Sequence, residues 1–132
     1  MLEAFRAIKT FLATTDLNDA DKLNGRFCEG QAPKRTSFPY LTFQAISHTG
    51  EPALSEDDVP LAIQINLYGD RTLGGRALWA LNDLLLSELD RQRLTVTGFS
   101  AACILAIDRG VEELEEDGLR ITSQWDLFMS PA

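Results

Sequence analysis

The alternation in Pro39-Tyr40-Leu41-Thr42-Phe43-Gln44-Ala45-Ile46-Ser47 constrains this chain more than any other stretch. Leu41, Phe43 and Ala45 fall on one side of an extended backbone and Thr42 and Gln44 on the other, the period of a strand buried on one face only. A second stretch, Leu61 to Tyr68, repeats the pattern, with Leu61, Ile63, Ile65 and Leu67 alternating against Ala62, Gln64, Asn66 and Tyr68. Together they read as neighbouring antiparallel strands with an apolar and a wet face.

The remaining segments are read around this pair. Leu2, Phe5, Ile8, Phe11 and Leu12 share one side of a helical wheel against Glu3, Arg6 and Thr10, which predicts an amphipathic helix over Leu2–Ala13. The polar segment 14–24 ends in an Asn24-Gly25 turn; its Asp16, Asn18 and Asp21 lack the glycine and closing glutamate of a calcium loop. Arg26-Phe27-Cys28 suggests a short edge strand. The connection from His48 to Pro60 gathers Glu51, Glu56, Asp57 and Asp58 between prolines and is long for a hairpin, which predicts a projecting loop.

Asp70 or Thr72 can cap a helix running to about Leu89, with Leu73, Ala77, Ala80, Leu81, Leu84, Leu85 and Leu89 on its buried face. Trp79 and Leu86 then fall with Arg76, Asn82 and Asp83 on the polar side, where they are either covered by another part of this chain or left for a partner. Phe99–Ile107 is apolar or small on both faces, which suits a central strand, covered on both sides or at an interface. Leu119–Met129 alternates again, and the acidic run Gly110–Gly118 between them reads as a solvated hairpin tip. The sum is an α+β fold: a mainly antiparallel sheet of four or five strands with two helices packed on one face. The opposite face would display Thr42, Gln44, Gln64, Asn66, Thr122 and Gln124, polar but almost uncharged.

With 132 residues, 45% of them hydrophobic, the chain suffices for one domain spanning 1–132 that buries roughly two-thirds of its unfolded surface. Twenty acids against twelve bases give a net charge of −8, which opposes direct phosphate binding. Cys28 and Cys103 sit in apolar runs and read as buried free thiols of a reducing compartment. No apolar run approaches a bilayer span and no leader is read at the N-terminus, so a soluble, cytoplasmic chain is expected. His48, the single histidine, lies in a polar region without a neighbouring nucleophile. Leu73-Gly74-Gly75-Arg76 lacks the spacing and lysine of a phosphate loop, and adjacent carboxylates such as Glu56/Asp57 and Glu115/Glu116 lie where nothing apolar raises a pKa. Lys34 and Arg35 beside Phe38 and Tyr40 form only a small basic-aromatic cluster. No catalytic, metal or cofactor site is predicted.

One resemblance spans nearly the whole chain. The N-terminal helix, Gly25-Arg26-Phe27, Gln31-Ala32-Pro33, Ser37-Phe38-Pro39-Tyr40-Leu41-Thr42-Phe43, Thr49-Gly50-Glu51, Ala62-Ile63-Gln64-Ile65-Asn66-Leu67, the long helix and the closing hairpin together resemble the tail terminator or tail-completion proteins of long-tailed bacteriophages. The acidic run Glu112–Asp117 has no counterpart in that pattern. The resemblance implies a structural virion protein, not an enzyme. Such proteins assemble in the host cytoplasm as a ring, typically hexameric, on the head-proximal end of the tail tube, and sit at the tail–neck junction. They stop tail polymerisation and join the tail to the head connector. Partners implied are further copies of the chain, the major tail tube protein and a head-completion or connector protein. Genomic DNA would pass through the lumen without specific binding, and no cofactor or membrane is involved. Expected contacts are Arg76, Trp79, Asp83 and Leu86 at a subunit or partner interface, and His48, Glu51, Leu54, Glu56, Asp57 and Asp58 on the projecting loop. Alternatives are another neck component, such as a head-completion or stopper protein, or an acidic inhibitor mimicking nucleic acid. An enzyme using loop carboxylates and a divalent metal ranks below both.

Overall fold

In the computed structural model, which describes residues 2–46, 61–70, 74–115 and 118–131, the two alternating stretches form adjacent antiparallel strands, β2 (Tyr40–Ala45) and β3 (Leu61–Asp70). They pair in the register Leu41↔Leu67, Phe43↔Ile65 and Ala45↔Ile63. The apolar rows therefore meet side by side. β1 (Phe27–Glu29) adds to β2 in parallel, β5 (Gly118–Pro131) pairs antiparallel with the other side of β3, and β4 (Phe99–Leu114) closes the sheet beyond β5. The result is an α+β fold with one five-stranded mixed sheet in the order β1-β2-β3-β5-β4 and two helices, α1 (Leu2–Ala13) and α2 (Gly74–Leu89).

One sheet face carries the core. Ile63, Ile65 and Leu67 of β3 stand beside Trp125, Ser123 and Ile121 of β5 in register, and all six are buried. Each large apolar side chain so placed contributes about 1.5–3 kcal/mol relative to exposure. α1 lays Ala4, Phe5, Ala7, Ile8 and Leu12 on this face and leaves Glu3, Arg6 and Thr10 in water, as its 3.6-residue period requires. The Phe5 ring meets Phe43 with centroids 5.4 Å apart. α2 reaches the same face through Leu78, which packs so closely on Gly69 that a Cβ there would stand 2.8 Å from Leu78 Cδ1. The segment 14–24 holds a single 3-10 turn, Asp16–Asn18, whose Leu17 is buried.

The structure corrects four expectations. Phe99–Ile107 belongs to the outermost strand and not to a central one; residues 90–94 take up the outer backbone edge of its first half, through Leu94 N donating to Ala102 O and Ile104 N to Gln92 O, while Phe99, Ala101 and Ile107 stay exposed. Gly110–Leu114 is not a hairpin tip but a continuation of β4 along β5. The buried face of α2 is rotated: Leu78, Asn82, Leu85, Leu86 and Leu89 are buried, while Ala77 and Ala80 are exposed. Finally, the free cysteines Cys28 and Cys103 are half-buried and occupy the two edge strands, four strand spacings or about 19 Å apart and well beyond disulfide reach. Among the described residues no helix is long and apolar enough to cross a membrane.

Candidate functional site

Two surfaces carry the expected site residues. The first is the outer flank of α2, where Arg76 and Asp83 are exposed and Trp79, on the same helical stripe, is half-buried. Trp79 is fixed from below, its indole Nε1 donating to Glu112 Oε1 at 2.6 Å. Leu86 does not join this surface: at 6% exposure it belongs to the core, a correction to its placement at an interface. The flank of α2 carrying Trp79, Asn82 and Leu86 turns towards β4, and Gly110 makes that approach possible. A Cβ on Gly110 would lie 3.0 Å from Asn82 Nδ2 and 3.2 Å from Trp79 Cζ3.

Asn82, expected on the wet side, is fully buried and donates from Nδ2 to the Arg109 carbonyl at 2.9 Å; its Oδ1 has no partner among the described residues. Sequence reasoning missed both Asn82 and Glu112. The signal was the alternation of Val111 and Glu113 against Glu112 and Leu114, which continues the strand period past Gly110. The projecting-loop residues His48, Glu51, Leu54, Glu56, Asp57 and Asp58 lie outside the described residues.

The second surface is the sheet face opposite the helices. Register places Thr42, Asn66 and Thr122 in one row across three strands and Gln44, Gln64 and Gln124 in the next. Asn66 is the hub: its Oδ1 accepts from Thr122 Oγ1 at 2.8 Å and from Gln64 Nε2 at 3.1 Å, and its Nδ2 donates to Thr42 Oγ1 at 3.4 Å. These neutral groups satisfy one another, which fixes a polar wall without charge. Beside them Phe38, Tyr40 and Tyr68 stack, with centroids 5.6 and 4.7 Å apart, ahead of Arg120 opposite Tyr68. Arg120 pairs with Glu113 at 2.6 Å and Glu115 at 3.9 Å. The Glu113 hydrogen bond, helped by one to Tyr68 and by the nearby carboxylates, raises the guanidinium pKa above its ordinary value against the opposing effect of burial. A cleft of about 260 Å³ opens here between Gln31, Tyr40, Tyr68 and Glu115.

Two further features were not foreseen. Ile107, Val111 and Leu114 on β4 are 59%, 52% and 73% exposed. A groove of about 440 Å³ runs between α1 and the extended segment 93–97. Among the described residues no group of His, Cys, Asp and Glu has the proximity to hold a metal ion.

No family model and no curated protein matches the sequence. Among the solved structures that share the fold, one aligns with a TM-score of 0.67 over 98% of this chain and 96% of the other at 12% identity.

Proposed function

We propose that the chain is a structural subunit of a bacteriophage tail, which caps the head-proximal end of the tail tube as a hexameric ring, stops its polymerisation and joins it to the head connector. The observation that carries this reading is the sheet face opposite the helices, where Asn66 binds Thr42, Gln64 and Thr122 in an uncharged polar network and Gln44 and Gln124 stand exposed in the next row. A wall passed by DNA gains from that chemistry, because each cation facing the lumen would add a salt-dependent phosphate contact and hold the genome back. The net charge of −8 acts in the same direction. Trp79, Arg76 and Asp83 on the outer flank of α2 supply a subunit or tail-tube contact. No turnover or cofactor belongs to this role.

The test is positional. A tagged chain is followed into particles purified from a producing culture, and the tag is located by electron microscopy. Label confined to the junction of tail and head is the expected result. A chain abundant in the lysate but absent from particles overturns the reading in favour of an acidic inhibitor.

A further inference from the structure

β4 is an edge strand with two unlike halves. Along residues 102–106 its outer edge is taken up by the preceding segment, including Ala106 N donating to Asp90 Oδ1 at 2.8 Å. From Ile107 to Leu114 no described segment makes backbone pairs with that edge, and α2 meets it through side chains, Asn82 Nδ2 donating to Arg109 O. This half has neither the lysine nor the proline that usually blunts an open edge, and it carries exposed Ile107, Val111 and Leu114 among the acids Asp108, Glu112 and Glu113. Pairing of two such edges with each other would set carboxylates against carboxylates, which is destabilising.

The groove between α1 and residues 93–97 has the opposite character. Arg6, Thr10 and Thr14 form one rim and Arg93, Thr95 and Thr97 the other, over a floor that includes Phe11 and Leu94. Glu3 is the one acid among its lining residues. In a chain of 20 acids and 12 bases, a groove lined by Arg6 and Arg93 against Glu3 alone is a locally basic surface. The two surfaces cannot meet within one molecule. Leu94 is bonded to Ala102, and from there to Val111 the strand runs on the order of 25–30 Å.

We propose that the open half of β4, residues 107–114, docks in the α1/93–97 groove of a second copy of this chain, its apolar side chains meeting the groove floor and its carboxylates, which also accept from Trp79, Arg120 and Gly110 N within their own chain, facing Arg6 and Arg93. Donor and acceptor are different patches, so copies joined head to tail make a heterologous contact, and the assembly keeps one free groove and one free strand. Such a contact closes into a ring when the rotation per step permits, and it rests on the ring reading for that closure alone.

The experiment uses two double variants of the full chain, Arg6→Glu/Arg93→Glu in the groove and Val111→Lys/Leu114→Lys on the strand, each required to match the wild-type circular dichroism and melting curve. Sedimentation velocity is then run on wild type, on each variant and on their equimolar mixture. Wild type should self-associate with rising concentration, and each variant alone should do so roughly tenfold or more weakly. The mixture should recover a heterodimer that grows no further, because only one variant retains a working strand and only the other a working groove. Association unchanged in both variants, a mixture without heterodimer, or a wild type monomeric at its highest soluble concentration overturns the docking; in the last case the groove belongs to another acidic partner. Wild-type rings indifferent to both variants would remove this contact and leave the ring reading standing. Variant-sensitive open chains would keep the contact and remove closure. Should a strand variant fail to fold, a synthetic peptide of residues 107–114 replaces it: competition with wild-type self-association supports the docking, and no competition overturns it.

Discussion

The Trp79 indole donates to Glu112 Oε1 at 2.6 Å and so ties the outer flank of α2 to the far half of β4. The acceptor is a carboxylate, and hydrogen bonds to ionised acceptors are about twice as strong as neutral ones. The same oxygen stands where a Cβ on Gly75 would meet it at 2.8 Å, against the first turn of α2, where negative charge also favours the helix dipole. One side chain of the acidic run thus orients the tryptophan and steadies the helix start.

Glu112→Gln keeps the acceptor and removes the charge, and it should cost about 0.5–1 kcal/mol. Glu112→Ala removes both and should cost about 1–2 kcal/mol. Urea unfolding followed by tryptophan emission reads the order directly. Trp125 is fully buried and serves as the internal reference. Equal stability in all three proteins would show that the bond contributes nothing.

Gly110 and Gly30 separate backbone strain from crowding. Both have positive φ, +142° and +77°, so alanine is strained at each, by roughly 1 kcal/mol. A Cβ on Gly30 meets nothing within 4 Å, whereas one on Gly110 presses Asn82, Ile121 and Trp79. Gly110→Ala should therefore destabilise by about 2–4 kcal/mol and Gly30→Ala by about 1 kcal/mol. Thermal unfolding of the pair decides it, and equal losses would show that the crossing of α2 over β4 is not close-packed at Gly110.

The difference between those two glycines marks how far the fold was legible. β2, β3 and β5 were readable because one face is apolar and the other polar, so Leu41/Thr42/Phe43/Gln44 states its own period even though Thr42 is buried. The polar wall followed directly, since Thr42, Asn66 and Thr122 inherit their places from that alternation and an antiparallel register. α2 was readable as a helix but not in its rotation. Its apolar residues nearly encircle it, and the side chosen depends on Gly110, which is distant in sequence. β4 was misread for the complementary reason. Its first half is apolar or small on both faces and looks central, while Gly110 and Gly118 frame its acidic half like a turn.

Leu86 was expected at an interface with Arg76 and Asp83 and should now separate from them. Leu86→Ala empties a buried site and should cost about 2–4 kcal/mol of monomer stability. Arg76→Ala and Asp83→Ala, both exposed, should stay within about 0.5 kcal/mol of wild type. If α2 meets a neighbour in the ring, the exposed pair should weaken assembly at unchanged melting temperature. An assembly defect in Leu86→Ala should follow the loss of folded protein. A stable, folded Leu86→Ala that fails to assemble would return Leu86 to the interface.

The uncovered sheet face offers the sharpest test of the lumen. Gln44 and Gln124 are exposed and lie in one row across the sheet, so Gln44→Lys and Gln124→Lys should leave stability within about 0.5 kcal/mol of wild type. In a ring, each substitution repeats in every subunit and lines the channel with cations. Assembled rings should then gain duplex DNA binding whose logarithm falls against the logarithm of salt by about 0.9 per phosphate engaged. Particles carrying them should form tails of normal length yet deliver DNA poorly, because the defect lies in passage and not in capping. The same lysine at Asp83, on the helix side, should produce no such binding. DNA delivery indifferent to both glutamine substitutions would place this face outside the channel.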